Sequence, residues 1–517
     1  MRRWLGLILL AGCLQDPNDP KVVASKLRDI DQTEAALSRL SNIAVERARV
    51  AVPELIDLYR ETGKADHLQA LVRYDDPRAR PLFLEALDRW QLDRERALVA
   101  VRAFADWRSR DATDQLVAIV GAPLPRSDRN NELRVEALRA LLRIGDPRMG
   151  PTLVKLLSAP LDQQDFRLHQ QAALGLTTLP DPAAVPALVR GLFLAWGKRD
   201  TFEECRLALA RIGPPAIPAL LELFGDSEEA TAQAMRRRKI EAEPSLVRTR
   251  TAQLLGDLRA TEAIRPMAAA LRPMRWGSPL ALALVRALGL IGTSPAVDPL
   301  LGVVRDAGAE IELRVAAAEA AAMTGDEFVV PVLVDLVAGG RRPRDQLPPW
   351  LRARLLAPLA RVAGADRAAE LRPLLANPDV LAAQALDQLA VAESCATALP
   401  CYAQRLADPA PARAEKAAWA IAFSGDRAGV PPLLQALSPL SDLPAARYPV
   451  YRAALVGLTR LADQSCQACR DKLRRQIEID GKLVHDPGEK ELLRETRLAL
   501  AYLERKAARP AVAGGDR

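Results

Sequence analysis

Aromatic side chains and histidines are scarce in this sequence. Phe, Trp and Tyr together make up 4% of its 517 residues, and there are three histidines. Sheets depend on β-branched and aromatic residues, yet no long stretch here alternates β-branched and polar positions. The composition therefore argues against a β-rich or mixed fold and favours an array of helices with thin aliphatic layers between them.

Sequence motifs of catalysis are missing as well. His67, His169 and His485 are dispersed, and none belongs to a zinc-binding HExxH motif. There is no GxSxG nucleophile turn, no P-loop lysine motif and no GxGxxG turn after a strand. We therefore expect a protein that is not an enzyme, with no catalytic residues, no metal site, no cofactor and no small-molecule substrate.

The charge of the chain does not favour a nucleic-acid ligand. The formal net charge is +7, and charged residues make up 26% of the sequence. A modest excess spread over a large surface differs from the concentrated basic stripe of a nucleic-acid-binding protein. We expect protein partners and no nucleic acid.

What the sequence does contain is a helical hairpin, clearest at residues 133–192. Apolar residues recur at helical spacing through a first helix, here called helix A, and again through a second, helix B. Between them Gly145 favours a left-handed helix end, Asp146 offers an N-cap oxygen and Pro147 suits a first helical position. Asp181 begins the next turn of this kind. Because neither helix can bury its apolar stripe alone, the copies must stack.

The turn residues give the period of the repeat. Turn aspartates follow one another at 35-residue steps, and later turns are looser in register: Asp76, Asp111, Asp146 and Asp181, then Pro214, Asp257, Asp326 and Asp426. The pattern G-D-P-x-x-x-P-x-L, from Gly145 to Leu153, resembles the HEAT-repeat family and its short phycobilisome-lyase-type form. The resemblance implies an all-α fold, an α-solenoid of stacked antiparallel hairpins over residues 23–506. The small residues of 507–517 predict a flexible tail.

The N-terminus resembles a bacterial lipoprotein signal peptide. Residues 1–3 are positively charged, residues 4–10 form a short apolar run, and Leu-Ala-Gly-Cys at 10–13 resembles a lipobox. The apolar run is too short to span a bilayer, so we expect a cleaved signal over residues 1–12.

The same resemblance implies a lipid anchor. Lipid attached to Cys13 would hold the chain on a membrane, with residues 13–22 as a short tether. Leu14, and not aspartate, follows Cys13, which by resemblance to Gram-negative lipoproteins implies sorting to the outer membrane. We therefore expect the protein in a bacterial cell envelope.

Connections from each helix B to the next helix A are long and irregular. They span residues 121–131, 158–164, 196–201, 226–245, 271–279, 339–349 and 438–449. In a stacked array such connections fall on one edge, where repeat proteins commonly keep binding residues.

Tryptophans and arginines in these connections are the candidate partner-binding residues. Each of four tryptophans lies in or beside a connection and near Arg or Lys: Trp90, Trp196, Trp276 and Trp350. Both residue types are enriched at interface hot spots, although each indole could equally cover the end of its own hairpin. The basic cluster Arg236, Arg237 and Arg238 is either a docking site for an acidic partner or a solvated face. Trp107 and Trp419, which fall on helix A positions, are predicted to be core.

Four of the six cysteines form two local pairs. Cys395 and Cys401 bracket one hairpin turn, and Cys466 and Cys469 occupy a corresponding turn near the C-terminus. In an exported chain they are interpreted as disulfide staples, while a redox pair and a metal site are the alternatives. Cys205 is interpreted as a small buried hydrophobe.

Together these observations predict a lipid-anchored HEAT-repeat scaffold of the cell envelope that binds protein partners through its solenoid surface and its connections. One alternative is an enzyme or enzyme accessory, either a thiol–disulfide protein using Cys466 and Cys469 or a lyase-like protein. The other is a nucleic-acid-binding protein, similar to HEAT-like DNA glycosylases, if the chain is cytosolic.

Overall fold

Helices form nearly all of the regular structure in the computed structural model of this chain, which describes residues 16, 18–339, 347–375 and 380–508. The chain divides at residue 178 into two compact units. Unit 1 runs to Thr178 and unit 2 begins at Leu179. The predicted lipoprotein signal and Cys13 lie outside the described residues.

Unit 1 is a succession of helices that pack against their sequence neighbours. These helices are α1 (Pro20–Ser25), α2 (Thr33–Asn42), α3 (Val45–Ala48), α4 (Val52–Thr62), α5 (Ala65–Val72), α6 (Arg80–Asp88), α7 (Arg94–Trp107), α8 (Thr113–Gly121), α9 (Asn131–Ile144), α10 (Gly150–Ser158) and α11 (Phe166–Leu176). Because α1 begins at Pro20, the predicted tether over residues 13–22 is already helical in its last residues.

Unit 2 continues the pattern of paired helices. Its helices are α12 (Val185–Gly191), α13 (Phe202–Ile212), α14 (Ile217–Phe224), α15 (Glu228–Arg238), α16 (Pro244–Asp257), α17 (Ile264–Leu271), α18 (Pro279–Ile291), α19 (Val297–Arg305), α20 (Ile311–Thr324), α21 (Val329–Ala338), α22 (Pro349–Val362), α23 (Ala368–Leu371), α24 (Val380–Cys395), α25 (Leu399–Arg405), α26 (Pro411–Phe423), α27 (Val430–Ala436), α28 (Tyr448–Leu461), α29 (Gln467–Leu483) and α30 (Pro487–Ala508). One two-residue antiparallel hairpin, β1 (Ala195–Trp196) with β2 (Arg199–Asp200), lies between α12 and α13. Helix α30 runs two residues into the predicted tail.

The turn from helix A to helix B is built as the sequence predicts. Gly145 has a φ of 70°, and the Asp146 side chain accepts a hydrogen bond from the Arg148 backbone N–H at 3.0 Å. Pro147 begins a 3-10 turn, Pro147–Met149, which leads into α10. The same arrangement of an aspartate cap and a 3-10 turn recurs at Asp181 and Asp426.

Short 3-10 segments also occur at other helix starts and connections. They are Lys26–Arg28, Arg49–Ala51, Arg110–Ala112, Pro214–Ala216, Thr261–Ala263, Ser294–Ala296, Ala365–Arg367, Arg372–Leu375, Leu440–Asp442 and Ala445–Arg447.

Two turn aspartates do not act as predicted. Asp111 lies inside a 3-10 segment whose N-cap is Ser109. Asp257 ends α16, and its carboxylate accepts hydrogen bonds from Arg206 on α13 at 2.6 and 3.0 Å. The Asp257 carboxylate therefore binds a side chain of another helix, and the Asp111 carboxylate lies in an exposed turn that Ser109 caps.

Three buried arginines each join a helix B to the following helix A. Arg134 in the first turn of α9 donates two hydrogen bonds to the Val120 carbonyl, at 3.0 and 2.8 Å. Arg314 on α20 makes the same contact with the Val304 carbonyl at 2.9 Å, and Arg248 on α16 donates to a carbonyl at the end of α14. Carbonyls in the last turn of a helix have no partner within the helix, so these arginines supply the missing donors.

In unit 2 the A helices form a closed succession. Helices α13, α16, α18, α20, α22, α24, α26, α28 and α30 each pack on the next, and α30 packs on α13. Ion pairs support this last contact, since Arg494 on α30 lies 3.5 Å from Glu203 and Arg211 on α13 lies 3.2 Å from Glu504. Three leucines of α30 are buried at 3% exposure or less: Leu492, Leu500 and Leu503. The stack in unit 2 is therefore a ring in which α30 covers both ends.

Among the described residues, no single helix combines the length and apolar character needed to cross a membrane. The segments Phe202–Ile212 and Pro214–Phe224, bent by 117° to each other, satisfy the criterion only when taken together and by length and composition alone.

Candidate functional site on the connecting segments

The N-terminal ends of the A helices in unit 2 share one edge of the ring, because neighbouring A helices run in the same direction. The segments that lead into them, residues 192–201, 272–278, 306–310 and 347–350, are called the connecting edge below. Three of the four candidate tryptophans lie on this edge and are exposed: Trp276 at 75%, Trp196 at 49% and Trp350 at 49%.

Trp276 stands between two fixed backbone positions. The backbone N–H of Gly277 donates to the Glu310 carboxylate at 2.6 Å, and the backbone N–H of Glu310 donates to the Arg275 carbonyl at 2.6 Å. The Arg275 guanidinium also lies 3.0 Å from the Asp306 carboxylate. Glu310 therefore holds the chain on both sides of Trp276, and the exposed indole belongs to an anchored loop.

Trp196 is carried by the β1–β2 hairpin, in which it pairs with Arg199 across a turn where Gly197 has a φ of 61°. Arg250 on α16 fixes the base of this hairpin by donating to the Asp200 carboxylate at 2.8 Å and to the Leu192 carbonyl. The exposed Trp196 is thus also presented from a supported segment.

Trp350 lies in the first turn of α22. One turn further along the same helix, the Arg354 guanidinium donates to the Glu312 carboxylate on α20 at 2.9 Å. This bond links two neighbouring A helices at the connecting edge, next to the exposed indole.

Trp90 does not belong to this surface. It is 7% exposed and lies just after α6, where it closes the end of its own hairpin. The prediction of a partner-binding role for Trp90 is therefore wrong, because its ring is already covered within the chain. Trp107 and Trp419 pack internally as predicted, Trp107 against Phe83 and Trp419 at 3% exposure.

The basic cluster at the end of α15 is only partly available to a partner. Arg237 donates to the Glu222 carboxylate on α14 at 2.9 and 3.1 Å, and Arg238 contacts the same carboxylate. Together they lower the pKa of Glu222. Arg236 is exposed. Two of the three arginines are therefore paired with Glu222, and a docking role for the cluster stays a prediction.

Both cysteine pairs lie at disulfide distance. Cys395, at the end of α24, is bonded to Cys401 in α25, with Cα atoms 5.3 Å apart. Cys466 is bonded to Cys469 within the start of α29, with Cα atoms 5.4 Å apart. The first pair joins a helix A to its helix B, whereas the second closes one helical turn. Cys205 is buried at 0% exposure, as predicted, and burial raises the pKa of its thiol.

Within the ranges that the structure describes, no three or more His, Cys, Asp or Glu side chains are grouped so that they could hold a metal ion. One feature of the site had no signal in the sequence, because Glu310 is an ordinary surface carboxylate by sequence.

A sequence model of the PBS lyase HEAT-like repeat matches residues 414–439. These residues comprise most of α26, the turn at Asp426 and all of α27. A search of curated protein sequences found no match.

Among solved structures, the chain is similar to importin beta crystallised in ammonium sulfate, with 13% identity over 95% of this chain and 70% of that chain and a TM-score of 0.34. It is similar to Kap95p, studied with RanGDP, with 12% identity over 94% of this chain and 67% of that chain and a TM-score of 0.34. It is also similar to Kap121p bound to Nup53p, with 12% identity over 94% of this chain and 53% of that chain and a TM-score of 0.34.

The resemblance drawn from the turn motif is therefore confirmed where the repeat model matches, and the helix pairs stack before and after that match in the same way. The chain carries PBS lyase HEAT-like repeat sequence in an all-α solenoid of stacked helical hairpins.

Proposed function

We propose that this chain is a lipid-anchored scaffold of a bacterial cell envelope that binds a protein partner at the connecting edge and has no catalytic activity of its own. The observation that carries the proposal is Trp276, whose ring is 75% exposed although Glu310 anchors its loop on both sides. A large apolar ring usually finds cover within its own chain unless a partner covers it.

The surroundings of the exposed rings indicate the chemistry of the partner. Exposed cationic side chains lie beside two of them, Arg272 and Arg275 next to Trp276, and Arg199 next to Trp196. An interface in which buried indoles are bordered by charged groups is typical of protein–protein contacts. The partner is therefore expected to present apolar side chains bordered by carboxylates.

Site-specific photocrosslinking in cells tests this surface. A photoreactive phenylalanine analogue replaces Trp276, and the matched control carries it in place of Phe328, which is 68% exposed but precedes a helix B on the opposite edge. We expect a discrete crosslinked protein at position 276 and none at position 328. Equal crosslinking at both positions, or none at 276, would contradict a binding role for the connecting edge.

The lipid anchor needs a separate experiment, because Cys13 lies outside the described residues. Fatty-acid labelling and membrane fractionation of the parent are compared with those of Cys13→Ser. Label that is present in the parent and absent from the variant supports the anchor. If the parent is unlabelled and cytosolic, the proposed location in the cell envelope is wrong. Partner binding at the connecting edge is then tested by the crosslinking experiment alone.

A second candidate function is thiol–disulfide exchange at Cys466 and Cys469. Cys466 is half-buried at the N-cap of α29, and its Sγ accepts the Cys469 backbone N–H at 3.3 Å, while Cys469 is fully buried behind it. A thiolate at a helix N-terminus is stabilised by the backbone N–H groups. Two thiols of a partner would be oxidised to a disulfide while this pair accepts two electrons and two protons and becomes two thiols.

Equilibration with glutathione separates exchange from a structural role. A reduction potential above about −230 mV would support exchange, and one below about −300 mV would mark the bond as structural. The Cys395–Cys401 pair, which joins two helices, is the internal comparison in the same titration.

A further inference from the structure

Two arginines meet where the C-terminal ends of the A helices converge in unit 2. Arg259 follows α16, donates a hydrogen bond to the Thr459 hydroxyl on α28 and places its guanidinium carbon 4.3 Å from the Tyr502 ring centroid on α30. Arg460, the next residue after Thr459, donates to the Met323 and Thr324 carbonyls at the end of α20, at 2.7 and 3.1 Å. Residues from four A helices thus surround one pair of cations.

Among the described residues, no carboxylate forms an ion pair with either guanidinium, and no acidic group contributes to the pKa shift of Arg259 or of Arg460. The Arg460 guanidinium carbon instead lies 4.9 Å from the Phe423 ring centroid. In the same unit Arg206 is paired with Asp257 and Arg452 with Glu495. Among the described residues Arg248 and Arg314 form no ion pair either, but each is a single cation that donates to the carbonyl of a helix end. Arg259 and Arg460 differ because the charge of Arg259 is close enough to contribute to the lowered pKa of Arg460.

The positive charges of Arg259 and Arg460 also repel each other. Burial lowers the pKa of Arg460 to about 10, and the nearby charge of Arg259 contributes to this shift. Burial likewise lowers the pKa of Arg259, and contact with Tyr502 offsets only part of the effect. Both groups remain protonated at neutral pH, and like charges in a partly desolvated space need a counter-charge.

The backbone at Arg259 adopts a conformation that the neighbouring turns give to glycine. Arg259 has a φ of 53°, in the left-handed region, whereas the corresponding turns after α18 and α20 use Gly292 and Gly325 at φ values of 66° and 68°. Glycine adopts this conformation without strain, while a long side chain does not. Asp75, Arg108, Lys239 and Ala396 also have a positive φ, so the strain at Arg259 supports a site only together with the two neighbouring charges.

Both side chains remain partly accessible at the centre of the ring. We infer that Arg259 and Arg460 form a binding site for a divalent oxyanion of the phosphate type, held between the two guanidinium groups. Two guanidinium cations balance a phosphate group, which carries about −1.5 to −2 at neutral pH, better than they balance a single carboxylate. The phosphate group comes either from free inorganic phosphate or from a small organic phosphomonoester.

Isothermal titration of the purified full-length chain with inorganic phosphate, in a chloride buffer of constant ionic strength, tests the site. The informative variant is Arg259→Gly, because glycine is the residue that the neighbouring turns use and the variant should fold at least as well as the parent. Lys239→Gly is the matched control, since Lys239 has a φ of 54° and is exposed at the end of α15.

We expect saturable one-site binding by the parent and by Lys239→Gly, and binding at least tenfold weaker by Arg259→Gly. A parallel titration with glycerol 3-phosphate distinguishes the sources, since tighter binding than that of inorganic phosphate assigns the site to an organic phosphomonoester, and equal or weaker binding assigns it to free phosphate. No saturable binding of either probe by the parent, or undiminished binding by Arg259→Gly, would overturn the inference.

Discussion

The ion pair between Arg206 and Asp257 allows a quantitative test of how unit 2 is held together. Its two hydrogen bonds, at 2.6 and 3.0 Å, join α13 to α16, and the two side chains are 10% and 4% exposed. Replacing Asp257 with Asn removes the negative charge and keeps the shape. The buried guanidinium then loses its main counter-charge, which typically costs about 3–5 kcal/mol.

The lower end of that range applies here. Glu203 lies 3.9 Å from Arg206 and still offers a weak counter-charge, although its own side chain is 49% exposed. We therefore expect Asp257→Asn to lower the free energy of unfolding of this region by about 3 kcal/mol, which raises the open population about 150-fold. Hydrogen exchange read by mass spectrometry should locate the loss of protection in α13 and α16.

Two further variants make the test decisive. The double variant Arg206→Met/Asp257→Leu removes both charges, so it should recover to within about 1 kcal/mol of the parent. Glu312→Gln breaks an exposed pair with Arg354 and should cost less than about 1 kcal/mol. A loss below about 1 kcal/mol in Asp257→Asn, or a double variant no more stable than the single, would refute the role given to this buried pair.

Three other predictions concern single contacts. Arg134→Met leaves the carbonyl at the end of α8 without its donor, so protection there in hydrogen exchange should fall by about 1–3 kcal/mol, and an unchanged α8 would contradict this. Burial lowers the pKa of Lys416 from 10.5 to about 7, so the unfolded chain binds more protons between these values and stability should rise with pH across that window. In urea unfolding, the free energy of unfolding of the parent should rise relative to that of Lys416→Met by up to about 1.4 kcal/mol per pH unit. A difference between the two proteins that does not change with pH would disprove the lowered pKa of Lys416. Replacing Cys395 and Cys401 together with serine should cost about 2 kcal/mol in thermal unfolding under oxidising conditions and nothing under reducing conditions.

The local part of the fold could be predicted from the sequence because its causes are local. Gly145, Asp146 and Pro147 specify a helix end, a cap and a helix start within three consecutive positions, and the structure follows them. Asp257 looks like the same signal but lies in a buried pair with Arg206, 51 positions earlier. A turn residue can therefore be identified from its neighbours only when no distant charge competes for it.

The candidate site shows the same limit more sharply. Trp90 and Trp276 have similar sequence surroundings, each in a connection and beside arginine. One ring is 7% exposed and the other 75%. The loop of Trp276 is fixed by Glu310, which lies 33 residues after Gly277. The path of a connection thus depends on contacts with the next repeat, which sequence spacing does not specify.

Ring closure in unit 2 changes how the repeats share stability. In an open stack each repeat contacts only its neighbours, so damage remains local and the terminal repeats must have polar outer faces. Here α30 covers both α28 and α13, and Arg494 meets Glu203 across 291 positions of sequence. Loss of a whole A helix should therefore disturb contacts around the ring in unit 2, whereas a single substitution such as Asp257→Asn acts on the two helices that the side chain joins.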